Sequence, residues 1–208
     1  MALPGNTFFD GGEGSAFLAP DNFSSKIQTV DRELGGIAIS DPSQGLQYQE
    51  WECSWLFSDS TISVYPVGST TKTPIIVVPN VTKVSFAFDA NMRPSVAYTS
   101  NNISYFRWFD TVSNDYTTST FAGARDMCVT HDIKTQELVQ SNVTDVLLFY
   151  LIGNGVFYRR QRDRYTIEYK IATLSNDKAI LRNAGLAANN RVQLKLEKVE
   201  GTSFVSSP

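Results

Sequence analysis

The chain reads as an all-β protein made of repeated antiparallel sheets, and three observations carry that reading. The first is one pattern used twice. Val84-Ser-Phe-Ala-Phe-Asp89, Pro94-Ser-Val-Ala-Tyr98 and Ile103-Ser-Tyr-Phe-Arg107 are echoed by Met127-Cys-Val-Thr-His-Asp132, Asp145-Val-Leu-Leu-Phe-Tyr150 and Val156-Phe-Tyr-Arg159. The Asp pair, Asp89 and Asp132, is 43 residues apart, and the Tyr and Arg pairs are 52 apart. The second copy therefore carries a longer first connection. Repeats of roughly 40–50 residues made of antiparallel strands point to propeller-blade-like arrays, with a β-sandwich as the other arrangement. The second observation is strict alternation at Trp51, Cys53, Trp55 and Phe57, the period of a half-buried strand. The third is composition. Aromatics make up 12% of the 208 residues, and Ser, Thr, Asn and Gly fill the gaps between short apolar runs, which favours strands and turns over helices.

Taken in order, residues 1–35 are rich in Gly, Pro, Ser and Asp, with isolated Phe8, Phe9, Phe17 and Phe23. They read as an extended N-terminal arm with one short helical turn near Val30–Leu34, lying along a neighbouring subunit or back over its own core. A β-rich domain follows over 36–200. Its strands begin with Gly36–Ser40, Gln47–Phe57 and Thr61–Val67, and Pro74–Pro79 forms a short strand fenced by prolines. The two repeats occupy about 84–110 and 127–171. In the second, Val146–Leu151 and Val156–Arg162 flank Gly153-Asn154-Gly155, and the Asn-Gly pair predicts a type I′ hairpin. Both faces of Val146–Leu151 are apolar, so that strand should be covered on both sides. Tyr165–Ile171 should continue as a strand. Val192, Leu194 and Leu196 alternate with polar neighbours in a C-terminal strand, and 201–208 reads as a frayed tail.

Charge and length narrow the function classes. Eighteen Lys and Arg against 21 Asp and Glu give a net charge near −3, which argues against a general nucleic-acid binder. The apolar runs are too short to span a bilayer, and the N-terminus lacks the charged and apolar regions of a secretion signal, so no membrane partner is expected. The sequons at Asn22, Asn80, Asn102 and Asn142 fit the abundance of Asn, Ser and Thr. Cys53 sits among Trp51, Trp55 and Phe57 as a small hydrophobe, with a Cys53–Cys128 bridge the lesser alternative.

Residues able to do chemistry are few. His131 is the single histidine; a Cys128–His131 pair has no further ligand near in sequence, so no metal site and no cofactor is expected. No Gly-x-Ser-x-Gly elbow, papain-like Cys context or phosphate loop is present, and no catalytic residues are assigned. Asp89 and Asp132, at equivalent strand ends, read as turn residues whose carboxylates accept backbone N–H bonds. Paired carboxylates of a glycan-degrading enzyme are the minor reading.

The sharpest local feature is Tyr158-Arg-Arg-Gln-Arg-Asp-Arg-Tyr165. If strand alternation continues, Arg160, Arg162 and Arg164 share one face, either as an anion-facing stripe or as a solvated edge. Trp108 and Phe109, with Tyr116, are candidate aromatic platforms for a sugar ring.

Three groups of these residues resemble tail and tail-accessory proteins of tailed, short-tailed bacteriophages: Phe88-Asp89…Arg93-Pro94-Ser-Val-Ala-Tyr98; Arg107-Trp108-Phe109-Asp110; and Asp145–Tyr150 with Arg159–Tyr165. Leu181-Arg-Asn-Ala-Gly-Leu186…Asn190-Arg-Val-Gln-Leu194 is similar to the ending of tail-hub and nozzle repeats. The chain departs from a full propeller in showing only two clear repeats. The resemblance implies a non-enzymatic virion protein of adaptor, nozzle or fibre-attachment type. It would be assembled in the host cytoplasm by self-association and contact with other virion tail proteins. A carbohydrate- or receptor-binding module, with a host surface glycan as partner, is the alternative.

Overall fold

The computed structural model describes residues 31–41, 47–89, 91, 93–131, 145–175, 177–186, 192–197 and 203–206; side chains of 31–41, 47–50, His131, Leu186 and 203–206 lie outside the description. Among the described residues, fifteen strands form four meanders, each antiparallel and in chain order. Sheet one holds β1 (Asp31–Asp41), β2 (Gln47–Leu56), β3 (Thr61–Pro66) and β4 (Thr73–Val77). Sheet two holds β5 (Val81–Phe88), β6 (Pro94–Ser100), β7 (Ile103–Asp110) and β8 (Asp115–Phe121). Sheet three holds β9 (Arg125–His131), β10 (Val146–Ile152), β11 (Gly155–Arg160) and β12 (Tyr169–Thr173), and sheet four holds β13 (Ile180–Leu186), β14 (Val192–Glu197) and β15 (Ser203–Ser206). The protein is thus all-β with repeated antiparallel sheets. The two sequence repeats fall on the first three strands of sheets two and three.

The sheets are chained through their first strands: β1 packs on β5, β5 on β9, and β9 on β13. No comparable contact joins β13 to β1 among the described residues. Two cores fill the spaces between sheets. One joins sheets one to three through Trp55, Ile62, Phe86, Phe106, Met127 and Tyr150. The other joins sheets three and four through Phe149, Leu151, Leu181 and Leu194. β10 serves both. Val146, Leu148 and Tyr150 point into the first core, while Leu147, Phe149 and Leu151 point into the second, so the doubly apolar strand is covered on both faces.

Several buried polar groups are paired, as burial favours, the buried Trp51 Nε1 and Arg107 Nε being exceptions. Ser85 Oγ accepts the Val129 N–H at 2.9 Å, Ser104 Oγ donates to the Ala124 carbonyl at 2.8 Å, and Trp55 Nε1 donates to the Val78 carbonyl at 2.7 Å. Arg125 clips sheet three to the connection leading into sheet four. Its guanidinium donates to the Gly153 carbonyl at 3.0 Å, the Asp177 carbonyl at 2.5 Å and the Ala179 carbonyl. Cys53 and Cys128 are free and buried, and burial pushes both thiols up.

Several expectations need correction. The helical turn near Val30–Leu34 is not formed, because β1 starts at Asp31 and pairs with β2 from Asp31↔Leu56. Ser203–Ser206, taken as frayed, pairs with β14. Phe8, Phe9, Phe17, Phe23 and Asp132 lie outside the described residues. Strand β12 starts at Tyr169, not Tyr165, whose φ of 55° breaks extension. The β10–β11 hairpin pairs Ile152 with Gly155, and the positive φ falls on Gly153 alone, the pattern of a type II′ turn. Type I′ character belongs instead to the β6–β7 turn, where Asn101 and Asn102 have φ of 49° and 63°. Strand β8 was not foreseen, since Thr and Ser supply most of its length.

Candidate functional site

The arginine-rich segment is the starting point, and its geometry overturns the single-faced stripe. β11 ends at Arg160, Gln161–Asp163 form a 3-10 turn, and Arg164 takes a left-handed φ of 50°. Alternation stops where the stripe required it to continue, so the three guanidiniums diverge. Arg160 Nε pairs with Asp163 at 2.7 Å, its Nη2 donates to Tyr169 Oη at 2.5 Å, and its plane lies over the Tyr169 ring. Arg162 pairs with Asp145, which also accepts the Arg162 backbone N–H at 2.7 Å. Arg164 reaches across to sheet two and donates to Asp110 Oδ2 at 2.6 Å. The carboxylates of Asp145 and Asp110 are 2% and 7% exposed, while Arg162 and Arg164 remain about half exposed at 46% and 53%.

These are acids at strand ends held by guanidiniums and backbone N–H groups. Asp89 follows the same rule. Its Oδ1 accepts the Asn91 and Arg93 N–H groups at 2.8 and 3.0 Å, and its Oδ2 takes the Arg93 guanidinium at 2.7 Å. That is the turn role expected for it. Hydrogen bonds from Arg164 and from the Val112 N–H hold the Asp110 carboxyl below the usual carboxylate range; Arg160 does the same for Asp163.

The aromatic platforms are engaged too. Trp108 is 6% exposed, stacked on Phe106 at 5.4 Å and edge-on to Tyr165. Phe109 is half-buried with the Arg93 guanidinium 4.1 Å from its ring centroid, and the Arg107 guanidinium covers Tyr116 at 4.5 Å. One face each of Phe109 and Tyr116 is thus taken by the protein's own guanidinium groups, and Trp108 is buried.

Between sheets two and three a cleft of about 480 Å³ opens outward. One wall carries Trp108, Thr117, Ser119 and Phe121; the other carries Arg159, Arg164 and Glu168. Behind it lies a network absent from the sequence reading. Tyr150 O–H donates to Glu168 Oε2 at 2.5 Å. Arg159 donates through Nε to Tyr150 Oη at 2.9 Å, through Nη2 to Glu168 Oε2 at 3.2 Å and through Nη1 to the Tyr165 carbonyl at 2.8 Å. Its guanidinium also sits 4.9 Å from the Phe121 centroid. Burial, then the bond to Glu168, pushes the Tyr150 hydroxyl up. The available signal was the repeat itself: Tyr150 and Arg159 are the counterparts of Tyr98 and Arg107.

Chemically, the cleft offers charge already matched by charge. Of its two carboxylates, Asp110 is held by Arg164, and Glu168 accepts from Tyr150 and Arg159. The backbone of His131 pairs with Val146, and its side chain lies outside the description. Among the described residues no three His, Cys, Asp or Glu side chains gather as metal ligands, and no helix is long and apolar enough to cross a membrane. No protein-family model and no curated protein matches the chain.

Proposed function

We propose that this chain is a structural subunit of a tailed-bacteriophage tail, acting through protein–protein contact in an oligomeric assembly. The observation that carries the reading is the arc of sheets. Four meanders follow one another through their first strands, and the last does not return to the first among the described residues. Propellers that stand alone close into rings; an arc leaves surfaces and strand edges for neighbours. The resemblance of residues 84–169 to tail repeats gives this assembly its setting. Adaptor, nozzle and fibre-attachment roles all fit a subunit of this kind.

The test is co-expression of the full chain with the products of its neighbouring reading frames, followed by light scattering and electron microscopy. A ring, stack or larger complex is expected, with portal, capsid or tail genes next door. A chain that stays monomeric alone and with every neighbour would overturn the reading.

A further inference from the structure

The outer edges of the sheets are not alike. β4 carries Pro74, and its pairing with β3 is broken by a register shift between Ile62 and Ser63. β12 carries Lys170, and its pairing with β11 shifts between Val156 and Phe157. Both are ordinary ways of blunting an edge: a missing donor, a charge, a local twist. β15 is only four residues long. β8 has no proline and no register shift, and its one charge, Asp115, stands at its first residue. It pairs with β7 one-to-one over seven residues from Ser104↔Phe121 to Asp110↔Asp115, without a shift. From Tyr116 to Phe121 it contains no charge and no proline. Nothing pairs with its outer edge among the described residues, and Asp115, Thr118 and Thr120 are exposed. A long, regular edge whose only charge sits at its first residue is a template for another strand.

We infer that β8 pairs antiparallel with β8 of a second copy about a two-fold axis at Thr118, joining the two second sheets into one eight-stranded sheet. The choice of a second copy comes from what this register places side by side. Thr118 meets Thr118, Thr117 meets Ser119, and Tyr116 meets Thr120, which are hydroxyl pairs and an aromatic–β-branched pair, all favourable across strands. Asp115 meets Phe121 of the second copy. Residues directly opposite share a face, and Phe121 is the ring beneath the Arg159 guanidinium. Each Asp115 carboxylate is thereby set on the cleft face of the other copy, the face that carries Arg159 and Arg164. Within its own sheet Asp115 stands opposite Asp110, whose carboxylate Arg164 already holds. The two-fold repeats every contact, so the surface is self-complementary and the association closes at two copies. This deepens the assembly reading, resting on it only for the premise that the chain works in an oligomer.

The full-length chain carries the test. In the pairing, the two Cα atoms at position 118 lie about 4.5–5.5 Å apart, within the roughly 4.4–6.8 Å span of a disulfide. Thr118→Cys is expected to give a covalent dimer under mild oxidation. Thr120→Cys, whose two copies lie about 13 Å apart by strand rise, is expected to stay uncrosslinked. Cys53 and Cys128 are buried and do not compete. Thr118→Lys, which sets two ammonium groups face to face on an exposed position, is expected to halve the mass of the smallest oligomer seen by light scattering. A wild-type oligomer that persists in Thr118→Lys, or crosslinking that is equal at 118 and 120, overturns the β8 pairing and leaves the assembly reading standing. A wild-type chain that is monomeric at all concentrations and with all neighbours sinks both.

Discussion

Sheets two and three are built on one plan and finished differently. In each, the second strand sets a tyrosine opposite an aromatic of the third: Tyr98 opposite Tyr105, and Tyr150 opposite Phe157. Both pairs are stacked, with interplanar angles of 16° and 18°. Two residues on, an arginine stands opposite an aliphatic residue, Arg107 opposite Val96 and Arg159 opposite Leu148. The divergence lies in what the rest of each sheet brings to that arginine. Sheet three supplies Glu168 just before β12, and Arg159 finds a hydroxyl, a carboxylate and a carbonyl. Sheet two supplies Tyr116, and the buried Nε of Arg107 has no acceptor. A repeated backbone frame therefore fixes where a cation stands without fixing whether it is satisfied.

The largest test of the comparison concerns the third-strand position that precedes each arginine by one. Phe106 is fully buried between sheets two and three, whereas its counterpart Tyr158 is half-buried on the second core. Phe106→Ala should cost about 3–5 kcal/mol. Tyr158→Ala should cost about 1–2 kcal/mol, since part of that side chain already meets water. Urea unfolding of both variants measures this, and equal losses would mean that the two positions are not differently placed.

A smaller effect separates the two arginines. Arg159→Met keeps the apolar stem but removes three hydrogen bonds, one of them to a carboxylate, and should cost about 1.5–3 kcal/mol. Arg107→Met removes a donor that has no acceptor and should stay within about 0.5 kcal/mol of wild type, on either side. Should Arg107→Met prove the more damaging, its guanidinium must have an energetic role beyond its contact with Tyr116.

The smallest effect lies in the bond that ties the two sheets together, Arg164 to Asp110. The folded-state carboxyls of Asp110 and Asp163 sit below their ordinary values. A group lowered in this way contributes stability that is fully present above the unfolded carboxylate pKa of about 3.9 and lost as pH falls through the lower folded value. Thermal unfolding from pH 7 down to pH 2 should show a drop in Tm confined to the acid end. Arg164→Gln should lower Tm slightly at pH 7 and flatten that drop. An unchanged acid profile in the variant would show that the pair contributes nothing, as many half-exposed pairs do.

Much of this frame was legible in the residues. The two copies of Tyr and Arg fell on matching strands because apolar runs bounded by Asn, Gly and Asp record strand length and turn placement locally. The doubly apolar Val146–Leu151 announced a strand with two cores. The arginine stripe failed for an equally physical reason. Its alternation was carried through Gln161–Asp163, where Asp163 accepts from Arg160 and the Thr166 N–H bonds the Asp163 carbonyl, turning the chain back on itself. Which acid each guanidinium finds was not readable at all. Asp110 is 54 residues from Arg164, and only the stacking of two sheets brings them together. Strand β8 stayed hidden because Thr and Ser on a half-exposed edge leave little apolar pattern to detect.

β10 has a consequence for how faithfully the chain finds its fold. A strand with one wet face resists a one-residue slip, because slipping would drive polar groups into the core. β10 lacks that protection: a slip would exchange Leu148 for Leu147 or Phe149, apolar for apolar. Fidelity must come from fixed points outside the pattern. The Gly153 turn supplies one, at Ile152↔Gly155. The shift between Phe149 and Leu151 against β9, where Asp126 adopts a φ of 54°, supplies the other. Correct pairing at the centre of the molecule thus leans on two residues of unusual backbone conformation and on the bonds of the Tyr150 hydroxyl, and errors there would yield misfolded chains rather than merely weaker ones.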